Sequence, residues 1–131
     1  MYHDECDKCG KKIISMYAPQ APYKIYCNEC FHSDAWDPRD YGKEYDFSKP
    51  FFTQYRELME AVPREQNRTR NSPGTRFSDG SVDCKNCFMC GGGYKSEDCM
   101  YSGPIFSKSI VDSNVILNGD HVYEGFSGVN F

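Results

Sequence analysis

Two cysteine doublets near the amino end constrain this chain more than any other feature. Cys6-Asp7-Lys8-Cys9 and Cys27-Asn28-Glu29-Cys30 are C-x2-C units separated by seventeen residues, a spacing associated with four-cysteine zinc sites. Cysteines three apart on a tight turn place both sulfurs on one side, so each doublet supplies one edge of a tetrahedron. Gly10 follows the first doublet, where a residue without a side chain lets backbone N–H groups turn toward the thiolates. Four cysteines close the site, and closed zinc sites are structural, because catalytic zinc keeps a position for water or substrate. The pattern predicts one structural Zn2+ on Cys6, Cys9, Cys27 and Cys30. The same donors also suit iron in a rubredoxin-like site.

Residues 11–17 and 22–26 read as short strands joined by Ala18-Pro19-Gln20-Ala21, and residues 31–36 as a short helix ended by Pro38. Knuckle, hairpin, second doublet and helix is the order of a treble clef, with the zinc ribbon as its rival. So few large aliphatic side chains occur here that metal binding, on the order of 10 kcal/mol, is expected to hold the module together. An amphipathic helix is expected over residues 49–62. There Phe51, Tyr55, Leu58 and Val62 form a stripe flanked by Phe52 and Met59, with Ser48 as cap, Pro50 in the first turn and Pro63 as stop. The stripe predicts docking on the metal module, so residues 1–63 are expected to form one small α+β unit.

Residues 64–80 have no apolar periodicity and carry Arg64, Arg68, Arg70 and Arg76 against Glu65 and Asp79. They read as a linker. The remaining residues, 81–131, open with Cys84-Lys85-Asn86-Cys87-Phe88-Met89-Cys90, followed by Cys99. The last gap is too long for a ferredoxin run, which also wants proline after its fourth cysteine. A second zinc on Cys84, Cys87, Cys90 and Cys99 is one reading. Disulfides are another, though eight cysteines behind a polar start without a signal peptide favour reduced thiols, in the cytoplasm or a virion.

A third reading is a twelve-residue repeat. Sliding the sequence by twelve aligns Cys87, Cys99, Val111 and Tyr123, and also Gly93, Ile105, Leu117 and Val129. Four lines result, 86–97, 98–109, 110–121 and 122–131. They predict an all-β, narrow β-solenoid whose inward positions stack from one coil to the next, with Cys87 and Cys99 as small apolar core residues. The fourth line stops early and without a polar cap, which predicts either a piece of a longer repeat protein or a last coil covered by a partner.

Several motifs in residues 6–63 together resemble a family of uncharacterised zinc-ribbon-like proteins of uncultured bacteria and large viruses. These are Cys6-x2-Cys9-Gly10-Lys11, Pro22-Tyr23-Lys24-Ile25-Tyr26-Cys27-x2-Cys30, Ser33-Asp34-x-Trp36-Asp37-Pro38, Tyr41-Gly42 and Asp46-Phe47-x2-Pro50-Phe51-Phe52. The resemblance implies a zinc module followed by a Cys- and Asn-rich tract, as at residues 81–101, and implies no activity.

Function is thinly written. No apolar run reaches the roughly 18 residues of a membrane span, and the formal charge is -4. His3-Asp4-Glu5 imitates half of a zinc deaminase signature. However, Tyr26 stands where that pattern wants proline, Cys6 and Cys9 would lose their purpose, and His32 reads as a surface residue. The expectation is a non-enzymatic, zinc-stabilised module for protein contact or self-association through the repeat region. Nucleic-acid binding through Arg64, Arg68, Arg70 and Arg76, with Tyr17, Tyr23, Tyr26 and Trp36 as stacking aromatics, is the alternative. Thiol redox chemistry is a third.

Overall fold

The first doublet occupies the turn of a hairpin. Strand β1 (Tyr2–Glu5) pairs antiparallel with β2 (Lys12–Ser15), from Tyr2↔Ser15 to Glu5↔Lys12, and the connecting residues carry Cys6 and Cys9. Gly10 closes the turn at φ +71°, its N–H donating to the Cys6 carbonyl at 2.8 Å, a left-handed conformation open to glycine without steric cost. The hairpin therefore straddles the first doublet, whereas the sequence placed both its strands after it. Strand β3 (Ile25–Tyr26) pairs instead in parallel with β4 (Arg64–Glu65). Backbone bonds fix this: Arg64 N–H to the Lys24 carbonyl at 2.8 Å, Gln66 N–H to Tyr26 at 2.9 Å, and Met16 N–H to Gln66 at 2.9 Å. Residues 64–66 thus belong to the first unit, which spans Tyr2–Gln66 in a computed structural model that describes residues 1–129.

Helix α1 (Asn28–Phe31) begins at the second doublet rather than at residue 31, because the Cys27 sulfur serves as its N-cap, accepting from Cys30 N–H. Pro38 does not end a helix; it opens a 3-10 turn, Pro38–Tyr41, whose cap is the Asp37 carboxylate on Arg39 N–H at 2.8 Å. Helix α2 (Phe51–Ala61) forms as the stripe predicts, though none of its residues is fully buried and Phe52 is 79% exposed. Its last turn is half-buried, with Arg64 reaching the Met59 carbonyl at 3.4 Å. Its aromatic residues pack on one another, Phe51 on Phe52 at 5.4 Å and stacked on Tyr55 at 5.9 Å between ring centres. Ser48 is not the cap, being held by the Asp46 carboxylate at 2.6 Å, and Pro50 takes that position. Ile13 and Ile25 are the only large aliphatic side chains buried beside Cys6 and Cys27 in this unit, fringed by Tyr17, Tyr23 and Tyr26.

The second unit runs from Asn67 and is β-rich, built on a three-residue step. Positive φ recurs at every third residue from Asn71 to Tyr101, then from Phe106 to Ser127. One residue of each step points inward and is buried (Ser78, Ser81, Cys84, Cys87, Cys90, Ser96, Cys99 and Ser102 in the first run), the next faces outward, and the third turns the corner. Four steps bring the chain over itself, so the bridges are parallel and twelve residues apart: Arg70↔Val82, Arg76↔Phe88, Asp79↔Gly91, Lys85↔Glu97. Residues 67–80 are therefore the start of this ladder and not a linker. Polarity misled there, because serine, threonine and asparagine are what its inward positions use.

The register shortens once. Tyr94↔Ile105, Glu97↔Lys108 and Met100↔Val111 are eleven apart, since Ser102-Gly103-Pro104 lacks a corner residue and Pro104 itself is buried. Strands β5 (Pro104–Ile105), β7 (Asn114–Leu117) and β9 (Phe126–Val129) then form one parallel sheet and β6 (Lys108–Val111) and β8 (Asp120–Tyr123) another, at twelve again. The expected alignment of Cys99 with Val111 and Tyr123, and of Gly93 with Ile105 and Leu117, is thus one residue late. Cys99 stands over Ile110 and Gly93 over Pro104, while residues 130 and 131 of the expected fourth line lie outside the described residues.

Inward residues are small and polar for a reason. Their own N–H groups have no ladder partner, and hydroxyls one repeat earlier accept them: Ser72 from Cys84 at 3.1 Å, Ser78 from Cys90 at 3.0 Å, Ser96 from Ser107 at 3.1 Å, Ser113 from Gly125 at 3.0 Å. Buried amides left without such partners would each cost about 1–3 kcal/mol. Sulfur and aliphatic volume fills the rest, with Cys84, Cys87, Cys90, Cys99, Ile110 and Ile116 forming one cluster.

Candidate metal centre

Within the first unit the hairpin turn presents Cys6 and Cys9, and the start of α1 presents Cys27 and Cys30. Their four sulfurs lie within 4.8 Å of one another, close enough to chelate one metal ion. Cys6 and Cys27 are buried, Cys30 is half-buried and Cys9 is exposed. Backbone amides point at the sulfurs, as a thiolate centre requires: Cys27 N–H donates to Cys6 Sγ at 3.2 Å and Cys30 N–H to Cys27 Sγ at 3.4 Å. The two halves are held in place by Asp7, which sequence reasoning passed over. Its N–H donates to the Ile25 carbonyl at 2.9 Å, and its carboxylate accepts from Ile25 N–H at 2.6 Å. At the rim Lys11 pairs with Glu29 at 2.8 Å.

The thiols do not share one tendency to ionise. Burial opposes ionisation of Cys6, yet N–H groups from Cys27, Cys9 and Lys8 outweigh it and bring the thiol down to about 7. Burial pushes Cys27 up to about 12. At Cys30 the hydrogen bond with Cys27 favours the thiolate, but burial and the neighbouring thiols of Cys9 and Cys6 leave it raised. Four sulfurs crowded together cannot all carry charge unaided, and a divalent cation among them reverses that balance.

Elsewhere the expected residues go to structural duties. Cys84, Cys87, Cys90 and Cys99 are buried free thiols of the repeat core, and the group identified above is the one cluster of metal-ligating side chains among the described residues. Their sulfurs do not form a second such group; they pack together in the core, where Cys87 is hydrogen-bonded to Cys90 and Cys99. The Cys90 hydrogen bond favours the Cys87 thiolate, but the bond with Cys99 and burial raise that thiol to about 11. Arg64 lies 3.8 Å over the Tyr23 ring and 5.5 Å from that of Tyr17. Arg68 is paired with the Asp79 carboxylate, while Arg76 is exposed. Tyr26 packs edge-on against Trp36. His32 bonds Glu65 at 2.8 Å and stays outside the sulfur quartet. His3 sits on β1 opposite Ile14. Among the described residues no helix is long and apolar enough to cross a membrane.

Comparison with protein-family models, with curated proteins and with solved structures finds no match to this chain. The first unit carries a candidate metal site and the second is β-rich, an arrangement consistent with a structural or interaction module.

Proposed function

We propose that this protein is a non-enzymatic, zinc-stabilised module for protein contact, with one structural Zn2+ on Cys6, Cys9, Cys27 and Cys30. In this reading residues 67–129 form a narrow β-solenoid whose outward columns supply the contact faces, self-association included. The observation that carries it is the sulfur quartet. Cys9 Sγ and Cys27 Sγ stand 3.8 Å apart, and zinc–sulfur bonds of about 2.3 Å give a tetrahedron whose edges are about 3.8 Å. With every vertex a sulfur, no position is left for water or substrate. A second doublet at a helix start favours the treble clef over the ribbon. The engagement of Arg64 with Tyr23 and of Arg68 with Asp79 favours protein over nucleic acid as the partner.

Metal analysis of the purified full chain, combined with sedimentation, tests this. One zinc per chain and concentration-dependent association support it. A folded chain without metal, or zinc with an exchangeable water ligand, overturns it.

A further inference from the structure

The repeat region carries a groove that neither the metal centre nor the core accounts for. Two neighbouring columns of the ladder form it. One is the outward column Gly91, Gly103, Asn114 and Phe126, and the other is the corner column Met89, Tyr101, Asp112 and Glu124; together they line an open cleft of about 570 Å³. Three features of these columns are not explained by folding.

The first is Gly91. Its φ is not positive, and a Cβ built on it would meet nothing within 4 Å. The same column carries side chains at Asp79 and Asn114, so the backbone does not require glycine there. A glycine inside a strand that the fold does not need marks a place where a ligand or another backbone comes close. The second is the missing corner residue at Gly103-Pro104, where the register shortens beside Gly91's neighbour in the same column. The third is electrostatic. Several other ladder carboxylates meet a partner in the adjacent repeat: Glu97 lies between Lys85 at 2.9 Å and Lys108 at 3.9 Å, Asp83 accepts from Asn71 at 2.6 Å and Asp98 from Asn86 at 3.3 Å. Asp112 and Glu124 instead follow one another in the same column with no ion-pair partner among the described residues, and no lysine or arginine lines the cleft.

We infer that this groove binds an extended peptide segment bearing lysine or arginine. Its backbone would lie on the Gly91–Gly103 floor, its cation between Asp112 and Glu124, and its aliphatic stem against Met89 and Tyr101. Four ladder positions span about 14 Å at roughly 4.8 Å per spacing, the length of about four extended residues. The inference rests on the reading of the repeat region as a protein-contact element, and it names the partner's chemistry.

Fluorescence anisotropy on the full zinc-loaded chain tests it, with a labelled peptide alternating glycine and lysine and its glutamate counterpart. The lysine peptide is expected to bind at least tenfold more tightly than the glutamate peptide. Binding should weaken tenfold or more in Gly91→Phe, which fills the cleft, and in the double variant Asp112→Asn, Glu124→Gln, with thermal melts unchanged in both. No binding, equal binding of the two peptides, or binding indifferent to Gly91→Phe overturns the groove. Self-association that persists alongside any of these leaves the contact reading standing, whereas its absence with the groove intact does the reverse.

Discussion

The metal module and the repeat region meet the same shortage by different means. Neither has a conventional aliphatic core: the first buries Ile13 and Ile25, the second Ile110 and Ile116. In residues 2–66 the missing cohesion is concentrated at one point, four sulfurs drawn from two turns far apart in sequence. In residues 67–129 it is distributed, each three-residue step adding ladder bonds to the repeats on either side. Cysteine serves both designs with opposite chemistry. In the module it stands in the sulfur quartet, approached by backbone amides; in the repeat it is a buried filler of nearly serine's size. The lesson is that cysteine spacing alone does not separate a ligand from a core residue, but what lies at equivalent positions does.

The largest expected effect breaks the two regions apart. At the proposed zinc site Cys27→Ser removes a ligand together with the sulfur cap of α1, and a strong chelator would remove the ion. Either change should abolish on the order of 10 kcal/mol of metal-linked folding free energy in the module. Circular dichroism and amide exchange are expected to show loss of protection in residues 2–66 while the ladder amides of 76–111, which hold no ligand, keep theirs. Loss of both together would mean that the ion supports the whole chain.

Next in size is a test of how tightly the distributed core is fitted. A Cβ on Gly119 would meet Ile116 Cγ2 at 2.7 Å, Val122 Cγ2 at 2.9 Å and Ile110 Cδ1 at 3.0 Å. Gly119→Ala should therefore destabilise the repeat region by about 1–3 kcal/mol through overpacking. Gly91→Ala, facing open space, should fall within about 0.5 kcal/mol of neutral. Equal effects in thermal melts would show that the interior is not packed at the side-chain level.

Much of this contrast is legible in the sequence, and its illegible parts have physical causes. The doublets declare the quartet because ligand geometry is local within each pair. What they do not declare is the return of Arg64–Glu65 to β3, a two-residue parallel contact with no periodicity of its own. Helix α2 is legible as a helix, since its stripe is a property of the segment, but its exposure is not, since burial depends on what the rest of the unit offers. The twelve-residue repeat is readable at Cys87 and Cys99, yet the shorter period beneath it was the stronger signal: Ser78, Ser81, Cys84, Cys87, Cys90, Gly93, Ser96, Cys99 and Ser102 stand at every third position. Reading serine as solvated hid it, and so placed a linker where the ladder begins. The single missing residue at Pro104 then shifted every later position by one, which a fixed period cannot detect.

A smaller effect probes the first rungs of the ladder, where the sequence had suggested a linker. Burial opposes ionisation of Asp79, but the hydrogen bonds and charge of Arg68 outweigh it and hold the carboxyl below the usual carboxylate range. A carboxyl lowered in the folded state stabilises it above the unfolded pKa, near 3.9, and loses that contribution as pH falls through the folded value. Asp79→Asn should cost about 1 kcal/mol at pH 7, in keeping with a largely solvated pair. The gap to the parent protein should begin to close below about pH 4. A gap that is constant with pH would mean that the pair contributes nothing through charge.

The smallest expected effect sharpens the comparison most, because it repeats a single substitution in the other region. Cys90 lies between Ser78 and Ser102 in its inward column. Its N–H donates to Ser78 Oγ at 3.0 Å, and its sulfur lies 3.7 Å from Ser102 Oγ. A serine at 90 would extend a run that the chain already uses, keeping the acceptor and losing only a little volume. Cys90→Ser should therefore change the melting of the repeat region by less than about 1 kcal/mol, whereas Cys27→Ser unfolds the module. If Cys90→Ser instead collapses the ladder, the sulfur there contributes more than volume, and the division between ligand and filler must be redrawn.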